Sequence, residues 1–567
     1  MPTAQETPAR RSLEPPYLDL AFLASLPIPI LILIAPSINE PIYGNILSHA
    51  HYPTMAYTIL LISLAKVLLP SPNLSSWPSL TRSLLLSSLL LVLSPWSLGF
   101  LSRYSTFLGP EWGPHVSQVL ISYLPIALLS SSLGASIKMA HSSSSSSSSS
   151  PLIYLSILVI SVWFALVILP NPVHTLLLDL ITSHLSFLPT LLFLGSFLSL
   201  AALVLSFIHT FSSHALDHVN HRHSWTQAPV TLLILFLALF TLKSHPYCDQ
   251  GFSKAYIAPG WKGIDRAESL TGLISVVEKQ EKPVMRLLRA GHSLIGGAYL
   301  HNMDSIYDSF YFLEAVRLIK RPSKPQNQPL NALVIGLGIG VSARSLMKHK
   351  INVDIVEIDP VVYRFSRTYF DLPEPRATYL MDGRKFLEEA KDASYDYILH
   401  DVFTGGSVPP GLFSKQILSH IKRVLTPDGI LALNFLGSME WPLVESYWIV
   451  ARTIQEVFPH VKMHLEMDTL DHKVKAKVFG SIINVVFFAS DKPIQYRDPV
   501  EEDYLDGDMR WHALQKFRGL ERPLDIPANV SVLTDGDNQL EKHQYLLSLM
   551  HWHVMRHYLP LDLWVNY

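Results

Sequence analysis

Residues suited to binding a nucleoside lie in four groups between positions 332 and 401. The first group is a loop with glycines Gly336, Gly338 and Gly340, which follows the apolar run 332–335. Such glycines let backbone N–H groups and a helix N-terminus approach a ligand closely. Glu357 closes the next apolar run, where an acid can accept hydrogen bonds from both hydroxyls of a ribose. The remaining two groups are Asp382-Gly383 and His400-Asp401.

The glycine pattern distinguishes between two classes of nucleoside. Its order is G-x-G-x-G, and Val341 stands where a dinucleotide fingerprint would continue toward its third glycine. A nicotinamide or flavin dinucleotide is therefore the weaker interpretation. S-adenosylmethionine or its decarboxylated form fits the pattern better as a co-substrate. A plain glycine turn between a strand and a helix is the structural alternative.

The amino-terminal half has the composition of a membrane domain. From residue 17 to residue 242, Leu, Ile, Ser, Pro and aromatic residues dominate, and charged residues are isolated. A helix needs about 20 apolar residues to cross a bilayer, so a multi-pass α-helical membrane domain of seven or eight helices is predicted over 1–243. The seven candidate spans are 17–38, 54–69, 84–100, 116–137, 152–169, 188–211 and 230–242. An eighth, short or interfacial helix is predicted over 173–187.

Positive charges predict how these spans are oriented. One set of alternating loops carries Arg10, Arg11, Lys66, Arg82 and Lys138, and the other set carries Arg103. Because cytoplasmic loops hold the excess of Lys and Arg, the amino terminus is predicted to face the cytosol. Eight spans, or a re-entrant equivalent, would return the carboxy-terminal half to the cytosol, where sulfonium nucleosides are made, whereas seven would not. We favour the cytosolic arrangement, and the sequence leaves the organelle open.

Composition also excludes several classes of function. The net charge is −2 and no long basic stretch occurs, so nucleic acid is not implied as a partner. Cys248 is the only cysteine, which excludes disulfides within the chain and thiolate zinc sites. His553 and His557 have the i, i+4 spacing of a metal pair, but no third ligand is specified, so no metal is predicted. Asn73 and Asn529 begin glycosylation patterns, which matter only on a lumenal face.

After residue 243 the charge density rises and the pattern becomes that of an α/β protein. Three strand-like runs, 272–278, 284–289 and 293–300, predict a small antiparallel sheet. Strands and helices then alternate, which is typical of a doubly wound, Rossmann-like parallel sheet with ligands beyond the carboxyl ends of its strands. The predicted domains are 244–305 (linker and small antiparallel β domain), 306–495 (nucleoside-binding α/β domain) and 496–567 (carboxy-terminal extension).

This half resembles the spermidine synthases and related aminopropyltransferases over about 268–491, and most closely their membrane-fused forms. The resemblance implies a class I methyltransferase-type fold. It also implies that Glu357, in Val-Glu-Ile-Asp, binds the ribose and that Asp382, before Gly383, contacts the adenine. Asp401 matches the first aspartate of the D-S-S-D-P loop, which holds the attacking amine. A carboxy-terminal segment of the fused proteins is similar to 532–535, without a role that we can assign.

Three departures from the family pattern concern the acceptor. Ile339 replaces an aspartate within the glycine loop, Thr404 stands in the amine loop where a second aspartate is expected, and Phe312 replaces a tyrosine. A dication such as putrescine needs carboxylates at both ends, because burying an unpaired ammonium is costly. Putrescine is therefore a doubtful substrate.

Transfer from a sulfonium to a nitrogen requires a group that accepts the proton of the nucleophile. A carboxylate beside the reacting carbon can do this, and Asp401 is our candidate for the catalytic base; a capping or loop-closing aspartate is the alternative. The family favours aminopropyl transfer to a small-molecule amine or other nucleophile, with methyl transfer as the alternative. A non-catalytic transporter or scaffold that binds the nucleoside is the third interpretation, although few intramembrane charges mark a transport path. The expected partners include the lipid bilayer, and a homo-oligomer remains open.

Overall fold

The computed structural model describes residues 27–49, 52, 54–56, 58–59, 61–62, 77–143, 187–212, 218–244, 256–321, 328–403, 405–439, 441–466 and 482–565. They belong to two compact units. The first is drawn from 1–38, 50–101 and 115–249, and the second consists of Asn39–His49, Ser102–Pro114 and Gln250–Tyr567. The predicted span 152–169 lies outside the described residues, as does the predicted short helix 173–187 except for Phe187.

The amino-terminal half is helical at the described residues except Gly44 and Tyr104, which separate helices. Its helices are α1 (Pro27–Tyr43), α2 (Asn45–His49), α3 (Trp77–Arg103), α4 (Ser105–Gln118), a π-helical turn (Val119–Tyr123), α5 (Leu124–Ser143), α6 (Phe187–Ser212) and α7 (His218–Ser244). Serines fit these apolar helices because their hydroxyls donate to carbonyls one turn earlier, as from Ser88 to Leu84 at 2.8 Å. Gly109, with φ 72° and ψ 172°, interrupts α4.

Three helical segments of this half are long and apolar enough to cross a membrane. They are Thr81–Arg103, Ser105–Ala135 and Gln227–Ser244, and Pro189–Leu205 is a shorter apolar helix. These segments overlap four of the predicted spans. Their length and composition permit a crossing, which is taken up below as a proposal.

A five-stranded antiparallel sheet opens the second half, where a small sheet was predicted. Its strands pair in chain order: β1 (Tyr256–Ala258), β2 (Trp261–Ser269), β3 (Gly272–Lys279), β4 (Met285–Ala290) and β5 (Ser293–Tyr299). Short turns suffice because neighbouring strands run in opposite directions. Gly272 begins β3 directly after such a turn and Gly291 lies in the turn between β4 and β5, with φ of 102° and 53°.

The larger sheet has eight strands in the order β13-β11-β12-β10-β9-β6-β7-β8. The strands are β6 (Asn331–Ile335), β7 (Asn352–Glu357), β8 (Ala377–Leu380), β9 (Tyr395–His400), β10 (Leu425–Ser438), β11 (His460–Leu465), β12 (Ile482–Ser490) and β13 (Glu521–Arg522). Strands β10, β9, β6, β7 and β8 are parallel, as predicted from the alternation of strands and helices. Strands β12, β11 and β13 pair antiparallel, which the prediction of a parallel sheet did not include.

Helices cover both faces of the larger sheet. They are α8 (Ser309–Glu314), α9 (Val341–Lys348), α10 (Pro360–Tyr369), α11 (Gly383–Glu389), α12 (Lys415–Val424), α13 (Val444–Val457), α14 (Glu501–Tyr504), α15 (Asp508–Lys516) and α16 (Leu540–Tyr558). The last helix, α17 (Leu561–Val565), packs with β1 of the small sheet. Alternate residues of β6 enter different cores: Val334 packs with α9 and α10, and Leu333 packs with α12 and α13. Burial on both faces explains why the parallel strands read as continuous apolar runs.

Asp359 joins the two sheets. Its carboxylate caps α10 by accepting from Val361 and Val362 N–H at 2.8 and 3.2 Å. The same carboxylate accepts from the hydroxyls of Ser269 and Thr271, at 2.6 Å each, and from the N–H of Thr271 at 3.1 Å. Because its side chain is fully engaged in this way, Asp359 positions the small sheet beside β7 and is not a ligand contact.

We expect Asp359→Ala to lower the free energy of unfolding by about 3–5 kcal/mol, because a helix cap is lost and buried donors are left without their charged acceptor. Urea-dependent proteolysis of the detergent-solubilised full chain measures the change. Asp498→Ala is the control: its side chain is 84% exposed in an ion pair with Arg518, and its removal should cost under about 1 kcal/mol. Equal urea midpoints of unfolding for the two variants would refute the role of Asp359 in joining the two sheets.

Candidate active site

A cavity of about 990 Å³ opens at the carboxyl ends of the parallel strands. Ligands bind at this edge in open α/β sheets, because the loops after the strands converge there. Six of the seven predicted site residues line the cavity, and these are Gly336, Gly338, Glu357, Asp382, Gly383 and Asp401. The structure therefore brings together residues that lie up to 65 positions apart in the chain.

Close backbone packing accounts for the first two glycines of the loop. A Cβ on Gly336 would lie 2.2 Å from the carbonyl oxygen of Asp401, and one on Gly338 would lie 2.8 Å from that of Ile295. Both glycines have positive φ, 81° and 54°, a conformation that other residues rarely adopt. Gly340 differs, since it begins α9 in the left-handed conformation and is not part of the cavity wall.

Glu357 ends β7 with its carboxylate held by the backbone. Oε2 accepts from Leu337 N–H at 2.8 Å and Oε1 accepts from Asp359 N–H at 2.9 Å. Burial raises the pKa of Glu357 to about 7, although these two hydrogen bonds act in the opposite direction. Each carboxylate oxygen can accept about two hydrogen bonds, so capacity remains for the two hydroxyls of a ribose.

Asp382 has a structural role in addition to its place in the cavity wall. Its Oδ1 caps α11 by accepting from Arg384 and Lys385 N–H at 2.6 and 3.3 Å. Gly383 is required by packing, because a Cβ there would lie 2.9 Å from Ile335 Cγ2. The contact of Asp382 with adenine stays a prediction.

Asp401 follows β9 and is paired with an amide from the neighbouring strand. Asn434 Nδ2 donates to Asp401 Oδ1 at 2.9 Å. Burial raises the pKa of Asp401 to about 6, although this hydrogen bond acts in the opposite direction. A carboxyl group with a pKa near neutrality is suited to exchanging a proton with a nucleophile.

His400, the neighbour of Asp401, belongs to the core. It has no exposed surface, its ring packs on Phe413 at 4.9 Å, and its Nε2 lies 3.2 Å from the carbonyl oxygen of Leu412. Burial lowers its pKa to about 4. Ile339, which stands where the family has an aspartate, is likewise buried against Gly296 of the small sheet. The sequence departure at Ile339 is thus an apolar contact between the two sheets.

Several polar residues of the cavity were missed by the sequence analysis. Glu466 accepts from the N–H groups of Asp308 and Ser309, at 3.1 Å each, and from Asn484 Nδ2 at 2.6 Å. Glu466 directly follows β11, and Asn434 directly follows Leu433, the last residue of β10 that pairs with β9. These positions at the sheet edge could have identified them. The cavity wall also includes Tyr307, Tyr558, His292 and His551. These come from separate parts of the chain, and no local pattern points to them.

His292 and His551 form a buried pair in this wall. Their rings meet edge to face at 5.6 Å. Burial and the charge of Arg556 lower the pKa of His551 to about 3, and burial together with neighbouring positive charges holds the pKa of His292 well below its usual range. Both imidazoles are therefore neutral at physiological pH.

Comparison with known proteins identifies the family. Residues 315–467 match the spermine/spermidine synthase domain. The chain is also 33% identical over 238 residues to a polyamine aminopropyltransferase of Alkaliphilus metalliredigens, which covers 40% of this chain and 71% of that protein. The chain belongs to the spermidine synthase-like family of transferases. The resemblance found in the sequence is thereby confirmed, and the eight-stranded sheet has the Rossmann-like, methyltransferase-type arrangement expected of the family.

Two further comparisons complete this picture. The chain is 34% identical over 369 residues to an N-terminal histidine N-methyltransferase of Emericella nidulans, which covers 59% of this chain and 64% of that protein. The chain thus spans a little under two thirds of that relative. A crystal structure of a probable spermidine synthase from Corynebacterium glutamicum is 18% identical, covering 48% of this chain and 96% of that one, with a TM-score of 0.37.

We expect Glu357→Gln to weaken binding of S-adenosylmethionine roughly tenfold or more, because hydrogen bonds to a charged acceptor contribute about 1.5–3 kcal/mol each. In the parent chain, affinity should fall as the pH drops through 7, since protonation of Glu357 removes the charged acceptor. Calorimetry of the full chain in detergent measures both effects.

The fold provides an independent check on this variant. Burial raises the pKa of Glu357 in the folded chain, so the folded state should lose stability as the pH rises toward 7. Glu357→Gln should lose this pH dependence, so the difference in stability between the parent and the variant should narrow as the pH rises toward 7, despite weaker binding of the variant. Glu374→Gln, whose side chain is 73% exposed, is the matched control and should bind normally. If Glu357→Gln bound S-adenosylmethionine as tightly as the parent, Glu357 would not be the residue that binds the ribose.

Proposed function

We propose that this chain is a membrane-anchored transferase that moves the methyl group of S-adenosylmethionine to a nitrogen atom. The observation that carries the proposal is the pair of Asp401 and Asn434. The Asn434 side-chain oxygen is buried and has no hydrogen-bond partner among the described residues, while its Nδ2 is held by Asp401. Burying a carbonyl oxygen without a hydrogen-bond donor is costly. The substrate that receives the methyl group would supply this donor by presenting an N–H group to the oxygen of Asn434.

The part of the cavity around the glycine loop is suited to the nucleoside. Side chains at Gly336 and Gly338 would collide with backbone atoms, so the loop stays narrow and its backbone remains accessible from the cavity. Glu357 retains lone pairs for the ribose hydroxyls after its two backbone contacts. These features support S-adenosylmethionine or its decarboxylated form as the co-substrate, as the family does.

The site residues act on the nucleophile during transfer. The co-substrate supplies a sulfonium-bound methyl group; the S–C bond breaks as the N–C bond forms, and the electron pair returns to sulfur. Asp401 and the oxygen of Asn434 orient the acceptor by accepting hydrogen bonds from its N–H groups. The attacking nitrogen uses its lone pair, so an amine loses its proton from that nitrogen and an imidazole loses it from the other ring nitrogen. Asp401, whose pKa of about 6 leaves it ionised at neutral pH, takes this proton.

We further propose an N-terminal histidine of a peptide or protein as the acceptor. The support is the match with the Emericella nidulans enzyme of that name, which extends over more residues than the family domain at 315–467. The physical argument is that imidazole, with a pKa near 6.5, is largely neutral at pH 7 and needs no second carboxylate at its far end.

Aminopropyl transfer from decarboxylated S-adenosylmethionine is the second candidate, and the sequence analysis favoured it. Its support is the family domain, the Alkaliphilus metalliredigens relative and a further carboxylate in the cavity, that of Glu466. Both oxygens of Glu466 already accept hydrogen bonds from the protein. A diamine would have to share them.

Membrane anchoring rests on the apolar helices of the amino-terminal half. Three segments of 18 to 31 residues have the length and composition of a bilayer crossing. We expect the full chain to stay in the membrane pellet after carbonate washing. Release into the supernatant would exclude integral insertion.

Asp401→Asn keeps the shape of the side chain and removes both its charge and its ability to take a proton. Turnover should fall by about 10²–10⁴, the usual contribution of a positioned base, while nucleoside affinity changes little. In the parent chain the rate should rise with pH through about 6. In the variant only the rise caused by the histidine of the peptide, whose imidazole has a pKa near 6.5, should remain.

Asp392→Asn is the matched control, because that side chain is 72% exposed in an ion pair with Arg423. Its turnover and pH profile should equal those of the parent. A decrease of only a few-fold in Asp401→Asn, with a pH profile equal to that of the parent, would leave Asp401 as a structural residue.

Product analysis distinguishes the candidate reactions. We expect the full chain to methylate a peptide that begins with histidine in the presence of S-adenosylmethionine. The same peptide with its histidine moved to an internal position should stay unmodified. Efficient formation of spermidine from putrescine and the decarboxylated nucleoside would instead establish aminopropyl transfer. Tight nucleoside binding without any product from the peptides or from putrescine would support the non-catalytic interpretation.

A further inference from the structure

Two short segments of the amino-terminal half belong to the compact unit that carries the cavity. These segments, Asn39–His49 and Ser102–Pro114, group with Gln250–Tyr567 rather than with the apolar helices that flank them in the chain. We call them the first and second loop segments. Their contacts with the rest of the unit show how firmly they are held.

The first loop segment packs on α16. Trp552 Nε1 donates to the carbonyl oxygen of Ile42 at 2.8 Å, and Arg556 donates to the same oxygen. Tyr43 stacks on the ring of Trp552 at 6.1 Å. Ile42 and Tyr43 have no exposed surface, and Trp552 is 1% exposed. Buried contacts of this kind are typical of a core and not of a loosely tethered loop.

The second loop segment packs on the first. Asn39 Nδ2 donates to the carbonyl oxygen of Pro114 at 3.4 Å. A Cβ on Gly113 would lie 2.4 Å from the hydroxyl of Tyr43, so the two segments approach as closely as their side chains allow. Phe107 and Trp112 of the same segment are 88% and 69% exposed. Large exposed aromatic residues of this kind suit the interface between a bilayer and water.

The first loop segment also reaches the cavity. Glu40 and Gly44 are part of its wall, and a Cβ on Gly44 would lie 2.3 Å from Cε1 of His292. His292 in turn lies against Gly405, four residues beyond Asp401. The site is therefore completed by residues that precede the second predicted span.

The position of both segments in the chain determines their side of the membrane. The first follows the predicted span 17–38 and the second follows 84–100, so both lie on the loop set opposite to the one that holds Lys66, Arg82 and Lys138. A bilayer cannot divide one packed unit. We propose that the transferase cavity lies on the non-cytosolic side of the membrane, opposite the amino terminus. This inference rests on the membrane anchoring proposed above.

Two consequences follow for the chain and its substrates. The number of crossings between the amino terminus and Gln250 must be odd, which fits the seven predicted spans and departs from the cytosolic arrangement favoured by sequence. The acceptor is then a molecule of the lumen or the cell exterior. A transport step must supply the charged sulfonium nucleoside to that side, because it is made in the cytosol.

Cysteine labelling of the full chain in sealed microsomes tests the side. In a Cys248→Ser background, one chain carries Thr3→Cys near the amino terminus and another carries Lys391→Cys, at an exposed position of the cavity-bearing unit. A membrane-impermeant maleimide should label Thr3→Cys in intact vesicles and Lys391→Cys only after detergent is added. Glu541→Cys, also exposed, provides a second position if the Lys391 variant does not accumulate.

Labelling of both positions, 3 and 391, in intact vesicles, or protection of both, would overturn the proposal. Because the assay measures accessibility and not activity, its failure is distinct from failure of the methyl-transfer proposal, and carbonate washing separately tests insertion. Expression in eukaryotic cells adds a second readout. A glycan on Asn529, in an exposed turn, should be lost in Asn529→Gln, whereas a glycan on Asn73 would contradict the arrangement.

Discussion

The site depends on one close backbone contact between adjacent parallel strands. Gly336, at the end of β6, passes so near the carbonyl of Asp401 that a Cβ would lie 2.2 Å from it. Gly336 N–H donates to Val356 O, and Asp401 N–H donates to Ile335 O, both at 2.9 Å. These bonds hold the ends of β7, β6 and β9 together. The carboxylates of Glu357 and Asp401 consequently flank a single loop, although 44 residues separate them in the chain.

Holding two acids in a buried site has an energetic cost that the ligand can offset. Burial raises the pKa of Glu357 to about 7 and that of Asp401 to about 6. A carboxyl whose pKa is raised by folding makes the folded state less stable as the pH increases toward that pKa. Hydroxyl and N–H donors of bound substrates relieve this cost, because they solvate the charged form. The same two groups can thus weaken the empty fold and recognise the substrates.

Much of this arrangement could be predicted from sequence, for a physical reason. Parallel strands buried on both faces appear as continuous apolar runs, and their ends mark where polar residues collect. This located Gly336, Glu357, Asp382 and Asp401. Strand direction leaves no such mark, so the antiparallel pairing of β11, β12 and β13 was not foreseen.

The residues that complete the cavity were beyond sequence reasoning because tertiary contacts alone bring them there. Glu40 and Gly44 come from the amino-terminal half, and His551 and Tyr558 come from α16, near the other end of the chain. No periodicity or spacing relates segments that are more than 500 residues apart. The family resemblance identified the part of the cavity that binds the nucleoside, because its motifs are local in sequence. The part beside Asp401 that would hold the second substrate is assembled from separate segments, so only the structure shows its chemistry.

A structure of the full chain with S-adenosylhomocysteine bound tests the central claim most directly. We expect both ribose hydroxyls within about 3 Å of the Glu357 carboxylate and the sulfur directed toward Asp401 and Asn434. Electron density for the nucleoside elsewhere, or for a ribose that does not contact Glu357, would contradict the assignment of this cavity. A sulfur directed away from Asp401 would contradict the proposed transfer to a nitrogen held there.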